Sequence, residues 1–188
     1  MTRGDTLGRV VERLRAAGIP HMLAGSFASS FHGTPRTTQD IDLVIDPSPD
    51  TLRAFVSLLP PDAFYVNLDA ALEALQHQGQ FNVVDLATGW KVDLIIRKHR
   101  PFSVEEFGRR HAADVLDTTV DVASAEDTVL AKLEWARLGE SERQLRDVAG
   151  IVAVKGASLD RAYIERWAAS LGIADLWKRV LALVSAES

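Results

Sequence analysis

The chain has 188 residues, a length that fits one domain, or one domain with a small appendage, and excludes two large domains. Hydrophobic residues make up 47% and charged residues 25%, as in folded globular proteins, and the net charge of −5 argues against a wholly basic nucleic-acid binder. Because the sequence contains no cysteine, disulfides, thiolate nucleophiles and Cys-ligated metals are excluded, and any metal must be held by oxygen or imidazole ligands.

The N-terminal segment shows the spacing of an amphipathic helix. Leu7, Val10, Val11 and Leu14 recur at helical intervals, and Gly18 follows as a stop signal. The charges between them interrupt the long apolar run that a signal peptide has, and no segment reaches the ~20 apolar residues of a membrane helix. We therefore expect a cytoplasmic protein without a membrane partner.

The next two apolar runs predict strands on either side of a turn. The run IPHMLAG is short and closes at Gly25 and Ser26, which suits a buried strand entering a turn, and ASSFHG is predicted to form a short helix. After a polar stretch, the run IDLVID alternates apolar and polar residues. That alternation predicts a strand with one partly polar face, ended by Pro47 and Pro49.

Two helices and a hairpin are predicted in the middle of the chain. The segment DTLRAFVSLL reads as a helix behind an Asp50 cap, and DAALEALQH as a helix behind Asn67 or Asp69. The two apolar runs of FNVVDLATGWKVDLII are joined by Ala-Thr-Gly, which is a hairpin signal. The second of these runs carries Asp93 in its middle.

Beyond the hairpin the pattern becomes helical. SVEEFGRRH predicts a helix and TTVDVA a short strand, and Ser124, followed three residues later by Asp127, predicts the start of a helix. Everything from residue 125 onward reads as helix. We therefore expect an α/β (α+β) fold with a small mixed sheet, divided into an α/β domain at 1–122 and a C-terminal helical region at 123–188 packed on it.

Three carboxylates on two predicted strands are the candidate catalytic and metal-binding residues. Asp40 and Asp42 stand two apart at the start of one strand, so their side chains point to the same face about 7 Å apart. Asp93 lies in an apolar run, where a carboxylate must be paired, hydrogen-bonded or bound to metal. Such oxygen ligands suit Mg²⁺ or Mn²⁺ and the transfer of phosphoryl or nucleotidyl groups. The alternative is that Asp40 ends the loop and Asp42 is solvated.

A candidate phosphate site precedes these carboxylates. Gly25 and Ser26 follow a predicted strand and open a short helix, so backbone N–H groups and the serine hydroxyl can face an anion. The alternative is an ordinary turn, because Gly-Ser pairs are common there. The position of the pair before the carboxylates favours the phosphate site.

The stretch LAGSFASSFHGTPRTTQDIDLVID resembles the signature of the polymerase-beta-like nucleotidyltransferase superfamily. In that signature a Gly followed by Gly or Ser precedes, across a spacer, an Asp-hydrophobic-Asp element; here Gly25 and Ser26 are followed by thirteen spacer residues and then by Asp40-Ile41-Asp42. The His-Gly pair, the arginine and the threonine within the spacer are similar to stand-alone bacterial members, including the AbiEii-like toxin enzymes.

This resemblance implies a nucleotidyltransferase-like fold, with a small mixed sheet flanked by helices and a C-terminal helical bundle. It also implies roles for the candidate residues. Asp40 and Asp42 would hold two metal ions, Mg²⁺ or Mn²⁺. Asp93 would accept the proton of the attacking hydroxyl or shape the second metal site. Gly25 and Ser26 would cradle the β- and γ-phosphates of an NTP.

Arg36 and Lys132 are the remaining candidates for nucleotide binding. Arg36 precedes the aspartates and can reach a phosphate in bidentate fashion, although an arginine in a polar loop can also be simply solvated. The AbiEii-like enzymes carry a lysine and a later Arg/Asp element near the nucleotide, to which Lys132 and the pair Arg143 and Asp147 are similar. The alternative for that pair is a surface contact at i, i+4 spacing.

Two further polar features have open interpretations. Arg97, Lys98, His99 and Arg100 form a basic cluster after the Asp93 strand, which is either a solvated strand end or a contact for a nucleic-acid backbone. His32 either neighbours the nucleotide or hydrogen-bonds a carbonyl at a helix end.

The residues predict a metal-dependent nucleotidyltransferase that moves NMP from an NTP to a hydroxyl acceptor. The acceptor is an RNA end, a protein or a small molecule, and the resemblance adds a toxin with an antitoxin partner as one version of this function. The alternative is a catalytically silent relative that binds a nucleotide or a partner protein. The presence of all three carboxylates favours the enzyme, because a partly assembled cluster of acids without metal only repels itself.

Overall fold

The computed structural model describes residues 3–38, 40–139 and 141–187, so residue 39 at the end of the spacer lies outside the described residues. The helices are α1 (Arg3–Ala16), α2 (Gly25–His32), α3 (Pro49–Ser57), α4 (Leu68–His77), α5 (Pro101–Gly108), α6 (Ala125–Gly139), α7 (Glu142–Lys155), α8 (Arg161–Ser170) and α9 (Ala174–Glu187). The strands are β1 (His21–Leu23), β2 (Asp40–Ile45), β3 (Phe64–Tyr65), β4 (Gln80–Asp85), β5 (Lys91–Ile96), β6 (His111–Val115) and β7 (Thr118–Val122).

The chain divides into two compact units. The sheet unit comprises the described residues of 1–24 and 38–122, and the helical unit comprises those of 25–37 and 123–188. The segment 25–37, which contains α2, therefore groups with the C-terminal helices. The domain division at 122 stays a prediction about folding domains. None of the described helices is long and apolar enough to cross a membrane.

The sheet unit is built on one mixed sheet. Among the described residues it has seven strands in the order β3-β4-β5-β2-β1-β7-β6. β2 pairs in parallel with β5 and β1 with β7, whereas the other neighbouring strands are antiparallel. The expected α/β fold with a mixed sheet is confirmed, and so is the hairpin of β4 and β5.

The alternation in β2 gives the sheet a buried face and a polar face. Ile41, Leu43 and Ile45 are completely buried, whereas Asp40 and Asp42, which alternate with them, are half-buried. Successive side chains of a strand point to opposite faces, so one apolar set forms the core and the other set stays near water. The two aspartates therefore share the polar face.

Helix α1 buries the face that its apolar spacing predicts. Leu7, Val10, Val11 and Leu14 have no exposed surface, and Gly18 follows with φ of 68° in the left-handed region, as a helix stop requires. Burial of a side chain of this size stabilises a fold by roughly 1.5–3 kcal/mol. This stripe therefore contributes a large part of the core of the sheet unit.

The cap of α3 differs from the predicted one. The Ser48 hydroxyl accepts from the Thr51 amide and the Thr51 hydroxyl accepts from the Ser48 amide, so Asp50 lies inside the first turn. Pro49 occupies the first helical position, where its missing N–H costs nothing, and the cap must precede it. For α4 the predicted cap is confirmed, because the Asn67 side chain accepts from the Ala70 amide.

A buried carboxylate joins α1 to the turn between β4 and β5. Asp85 is completely buried; it accepts hydrogen bonds from the Thr6 hydroxyl at 2.6 Å and from Arg9. The Ala87 amide donates to its other oxygen at 3.0 Å. Burial by itself raises the pKa of Asp85, but these hydrogen bonds, led by that of Arg9, lower it to about 2. The group therefore stays ionised inside the fold.

The helical unit begins its C-terminal part with the predicted cap. The Ser124 hydroxyl donates to Asp127 at 2.6 Å and accepts from the Asp127 amide at 3.1 Å, which fixes the start of α6. The Tyr163 hydroxyl donates to the second oxygen of the same carboxylate at 2.6 Å and so ties α8 to α6. The chain from residue 125 is helical with short breaks, as expected.

Gly33, which follows α2, lies close to the backbone of α7. A Cβ atom at this position would lie 2.7 Å from the Ile151 nitrogen and 2.9 Å from the Gly150 carbonyl carbon, and both are backbone atoms that cannot turn aside. We expect Gly33→Ala to lower the free energy of unfolding by about 1–3 kcal/mol, measured by chemical denaturation. The matched control is Gly139→Ala, where a Cβ meets nothing within 4 Å. Equal stability of the two variants would contradict the close approach.

Candidate functional site

The three candidate carboxylates lie on neighbouring strands of the sheet unit. β2 and β5 run in parallel with Asp42 opposite Asp93 and Asp40 opposite Lys91. Partners in register point to the same face of a sheet, so the polar face of β2 continues across β5. The sheet thus places Asp40, Asp42 and Asp93 on one face.

Lys91 contacts two of these carboxylates. Its Nζ atom lies 3.1 Å from Asp93 Oδ2 and 3.5 Å from Asp40 Oδ1. The hydrogen bond to Asp93 and the charges of both aspartates raise the pKa of Lys91, so it is a permanent cation at neutral pH. Two carboxylate oxygens therefore converge on one cationic atom.

The donor set of this face fits a divalent metal that is shared with a substrate. Among the described residues, no group of three or more His, Asp or Glu side chains is close enough to enclose a metal ion. Mg²⁺, however, is usually bound by one or two carboxylates together with substrate phosphates and water, and not by a closed protein cage. One oxygen of Asp93 and one of Asp40 lie within 3.5 Å of the Lys91 ammonium nitrogen, so two carboxylates of this face already contact one cation. A site in which all three aspartates hold metal stays a prediction.

The chain leaves the sheet unit beside Asp42. The Ala24 amide donates to the Asp42 carbonyl at 2.9 Å, one residue before Gly25 begins α2. Gly25 has φ of 58°, a left-handed conformation that side chains with a Cβ atom rarely adopt. The sharp change from strand to helix at this point thus requires glycine. The predicted short helix exists, and Gly25 and Ser26 open it, as expected.

In the helical unit, Ser26 and Arg36 contact each other. Ser26 is buried, and its hydroxyl accepts a hydrogen bond from Arg36 Nη2. The first backbone N–H groups of a helix have no partners within the helix, so the start of α2 is suited to an anion. Two of the residues predicted to bind phosphate, Ser26 and Arg36, are therefore in contact.

Asp147 joins Arg36 to Lys132. Arg36 donates to both oxygens of Asp147, with Nε at 2.8 Å and Nη2 at 3.0 Å. Lys132 donates to Asp147 Oδ2 at 2.7 Å and to Gln144 Oε1 at 2.9 Å. The side chains of Lys132 and Asp147 are only 4% and 8% exposed. This arrangement of Ser26, Arg36, Lys132 and Asp147 is called the Asp147 cluster below.

The electrostatics of the Asp147 cluster keep its carboxylate ionised between two cations. Burial by itself raises the pKa of Asp147, but the hydrogen bonds and charges of Arg36 and Lys132 lower it below the ordinary value. The acid is therefore ionised and neutralises one of the two cations. A guanidinium and an ammonium group held side by side in this way are groups that bind phosphate.

Sequence reasoning missed the central position of Asp147. The alternative of a surface pair with Arg143 is wrong as an account of this residue, because the buried carboxylate binds Arg36 and Lys132. The signal in the sequence was weak, since Arg36 and Asp147 are separated by 111 positions. Lys91 was missed as well; its spacing of two from Asp93 on a strand could have placed both on one face.

His32 and the basic cluster at 97–100 make hydrogen bonds and ion pairs within their own units. His32 Nε2 lies 2.7 Å from the Ala123 carbonyl oxygen, in agreement with a histidine that hydrogen-bonds a carbonyl. In the basic cluster, Arg97 pairs with Asp46 at 3.0 Å and Arg100 donates to Ser103. Lys98 and His99 are exposed. The cluster is thus partly engaged within the sheet unit.

Solved structures show which fold this arrangement belongs to. The structure of ANT(2'')-Ia in complex with adenylyl-2''-tobramycin matches with a TM-score of 0.59 and 12% identity, over 91% of this chain and 97% of that one. The chain has a nucleotidyltransferase fold. The lincomycin-bound lincosamide antibiotic adenylyltransferase LnuA matches with a TM-score of 0.54 and 10% identity, over 82% of this chain and 98% of that one.

A third match has a different source. The antigenic nucleotidyltransferase-like protein from Paracoccidioides brasiliensis has a TM-score of 0.54 and 14% identity, with 91% of this chain and 90% of that one covered. No protein-family model and no curated protein sequence matches the chain. The nucleotidyltransferase fold thus rests on structural similarity at low sequence identity.

Proposed function

We propose that the protein is a metal-dependent nucleotidyltransferase that transfers NMP from an NTP to a hydroxyl group. The observation that carries the proposal is the register of β2 and β5, which sets Asp42 opposite Asp93 on the polar face of a nucleotidyltransferase fold. A reaction of this type needs carboxylates that bind Mg²⁺ or Mn²⁺, and Asp40, Asp42 and Asp93 are the residues that would hold it.

The carboxylates of the sheet unit have separate tasks in this proposal. Bound divalent metal supplies neutralisation of the phosphate charge that develops during transfer. Asp40 and Asp42 orient the cation through oxygens fixed on one strand. Asp93 is largely buried beside apolar neighbours, and its carboxylate accepts the proton of the acceptor hydroxyl.

The Asp147 cluster binds the phosphates of the nucleotide in this proposal. Arg36 has the planar fork that matches phosphate oxygens, and Lys132 supplies a point charge. Asp147 holds both side chains in place, which reduces the entropy lost when they bind a ligand. Gly25 and Ser26 contribute the N-terminal amides of α2 and a hydroxyl.

The acceptor is best supported as a small molecule. The structure of ANT(2'')-Ia contains adenylyl-2''-tobramycin, and that of LnuA contains lincomycin. The two alignments cover 91% and 82% of this chain. An antibiotic-like alcohol is therefore the first acceptor class to test. RNA ends and protein hydroxyls are the other two acceptor classes, because each presents an alcohol. The resemblance to AbiEii-like toxins carries the proposal of a toxin with an antitoxin partner.

One observation favours a second candidate function. Lys91 already neutralises Asp40 and Asp93, as a cation would in a relative that binds nucleotide or a partner without turnover. A silent relative of this kind would bind NTP through the Asp147 cluster and transfer nothing.

The test is incubation of the purified protein with each α-³²P-labelled NTP, Mg²⁺ or Mn²⁺ and three acceptor pools: aminoglycoside and lincosamide antibiotics, RNA, and cell-extract protein. Label is expected in the small-molecule pool and not with Asp42→Asn. Label in RNA or protein supports the toxin version. Tight NTP binding without label in any pool contradicts the enzyme and supports the silent relative.

A further inference from the structure

Lys91 lies on the polar face of the sheet among the proposed metal ligands. It is the residue of β5 that stands opposite Asp40 of β2, and it precedes Asp93 by two positions on the same strand. Its ammonium contacts both carboxylates, at 3.5 Å and 3.1 Å. A lysine at this place opposes the binding of a divalent metal. In an active transferase, its position therefore needs an explanation of its own.

We infer that Lys91 is the resident cation of the carboxylate site, and that a divalent metal has to displace its ammonium from Asp40 and Asp93. The inference rests on the proposed function, because it concerns the same metal site. Lys91 acts here as a positioning residue that holds the carboxylates in the absence of metal.

The charges of the polar face support this role. Three negative charges lie on one face of two neighbouring strands, those of Asp40, Asp42 and Asp93. Like charges on neighbouring strands repel one another, which disfavours the folded site unless a counter-ion is present. Lys91 supplies such a counter-ion from within the chain. The register of β2 and β5 directs it to the same face as the acids, so the compensation is built into the sheet.

The same geometry weakens metal binding in the absence of nucleotide. An incoming cation competes with the Lys91 ammonium for the carboxylate oxygens of Asp40 and Asp93, and it is also repelled by the positive charge. The lysine side chain is 39% exposed, so it has room to turn towards water when a metal takes its place. When the metal arrives bound to a triphosphate, the negative charge of the phosphates offsets the repulsion between the metal and the Lys91 ammonium.

The experiment measures Mn²⁺ affinity of the nucleotide-free protein by the electron paramagnetic resonance signal of free Mn²⁺. We expect Lys91→Gln to bind Mn²⁺ roughly tenfold more tightly than wild type, because one opposing charge is removed. Lys91→Arg keeps the charge and is expected to bind as wild type does. The matched control is Lys98→Gln, which removes the same charge from an exposed position outside the site.

A second measurement does not depend on metal affinity. In the presence of a chelator, Lys91→Gln is expected to melt at a lower temperature than wild type, and saturating Mn²⁺ is expected to remove the difference. If Lys91→Gln does not fold, Lys91→Met, which keeps the aliphatic stem, replaces it in both measurements.

The outcomes separate this inference from the proposed function. If Asp42→Asn weakens Mn²⁺ binding but Lys91→Gln leaves it unchanged or weaker, the metal site stands and the role of Lys91 is wrong. If Lys98→Gln strengthens binding as much as Lys91→Gln does, the effect is one of general charge and the inference is also overturned. If neither wild type nor Lys91→Gln binds Mn²⁺, both the metal site and the inference fail.

Discussion

Asp42→Asn is expected to reduce the transferase rate by about a hundredfold or more while the protein stays folded. Asparagine keeps the shape of the side chain but removes a negative charge, which weakens the ligation of a hard cation. The bound triphosphate then loses its alignment with the acceptor, and a misplacement of about 1 Å can cost a hundredfold in rate. The rate is measured with labelled NTP and the stability by thermal unfolding.

The metal-free form of Asp42→Asn is expected to be as stable as wild type or slightly more so, because it carries one fewer like charge on the polar face. Asp46→Asn is the matched control. It removes a charge just after the same strand, where the Asp46 carboxylate pairs with Arg97 at 3.0 Å, and it should retain full activity. A lower melting temperature of metal-free Asp42→Asn than of wild type would show that Asp42 has a structural role. Full activity would contradict the metal assignment.

Asp147→Asn is expected to weaken NTP binding by about tenfold and to lower the free energy of unfolding at pH 7 by about 3 kcal/mol. The substitution removes the carboxylate that pairs with the buried Lys132, and breaking a buried ion pair from one side is strongly destabilising. Arg36 loses its bidentate contact and with it a fixed orientation. NTP affinity is measured by calorimetry and stability by denaturant titration.

The pH dependence of this loss follows from the lowered pKa of Asp147. A carboxyl group whose pKa is lower in the folded chain stabilises the fold above its unfolded pKa, near 3.8. The stabilisation is lost as the pH falls through the folded value. The difference between wild type and Asp147→Asn should therefore be full at neutral pH and shrink in acid below about pH 4.

The same helix provides the matched control for Asp147. Glu142 of α7 pairs with Arg179 at 2.7 Å, but both side chains are more than half exposed. Such pairs contribute roughly 0–1 kcal/mol, so Glu142→Gln should change stability little at any pH. If Asp147→Asn resembles Glu142→Gln in stability and NTP affinity, the cluster does not act as a unit.

The sequence predicted most elements of the fold because their apolar periodicity is strong. Helical spacing alone predicts the burial of Leu7, Val10, Val11 and Leu14. The two apolar runs around a turn predict the hairpin of β4 and β5. The strands β3 and β6 were missed. Both lie at the edges of the sheet, where short, partly exposed strands carry little apolar alternation.

The candidate site was predictable where its residues are close in sequence. The spacing of Asp40 and Asp42 is enough to place them on one face, because it depends only on strand geometry. Lys91 shares a face with these acids because of the register between β2 and β5. The position of Asp147 depends on the packing of α7 against α2 and α6. Tertiary pairing of this kind leaves no local pattern, so one sequence does not reveal it.

The composition of the helical unit from two separate segments has a consequence for synthesis on the ribosome. The His32 side chain binds a carbonyl 91 positions further along the chain, so α2 leaves the ribosome long before its partners exist. At bacterial to eukaryotic translation speeds this delay is on the order of ten seconds. An eight-residue helix is not stable alone, and Phe27 and Ala28, which are buried in the finished unit, remain exposed meanwhile. The nascent chain therefore passes through a stage in which this segment is a target for chaperones and proteases.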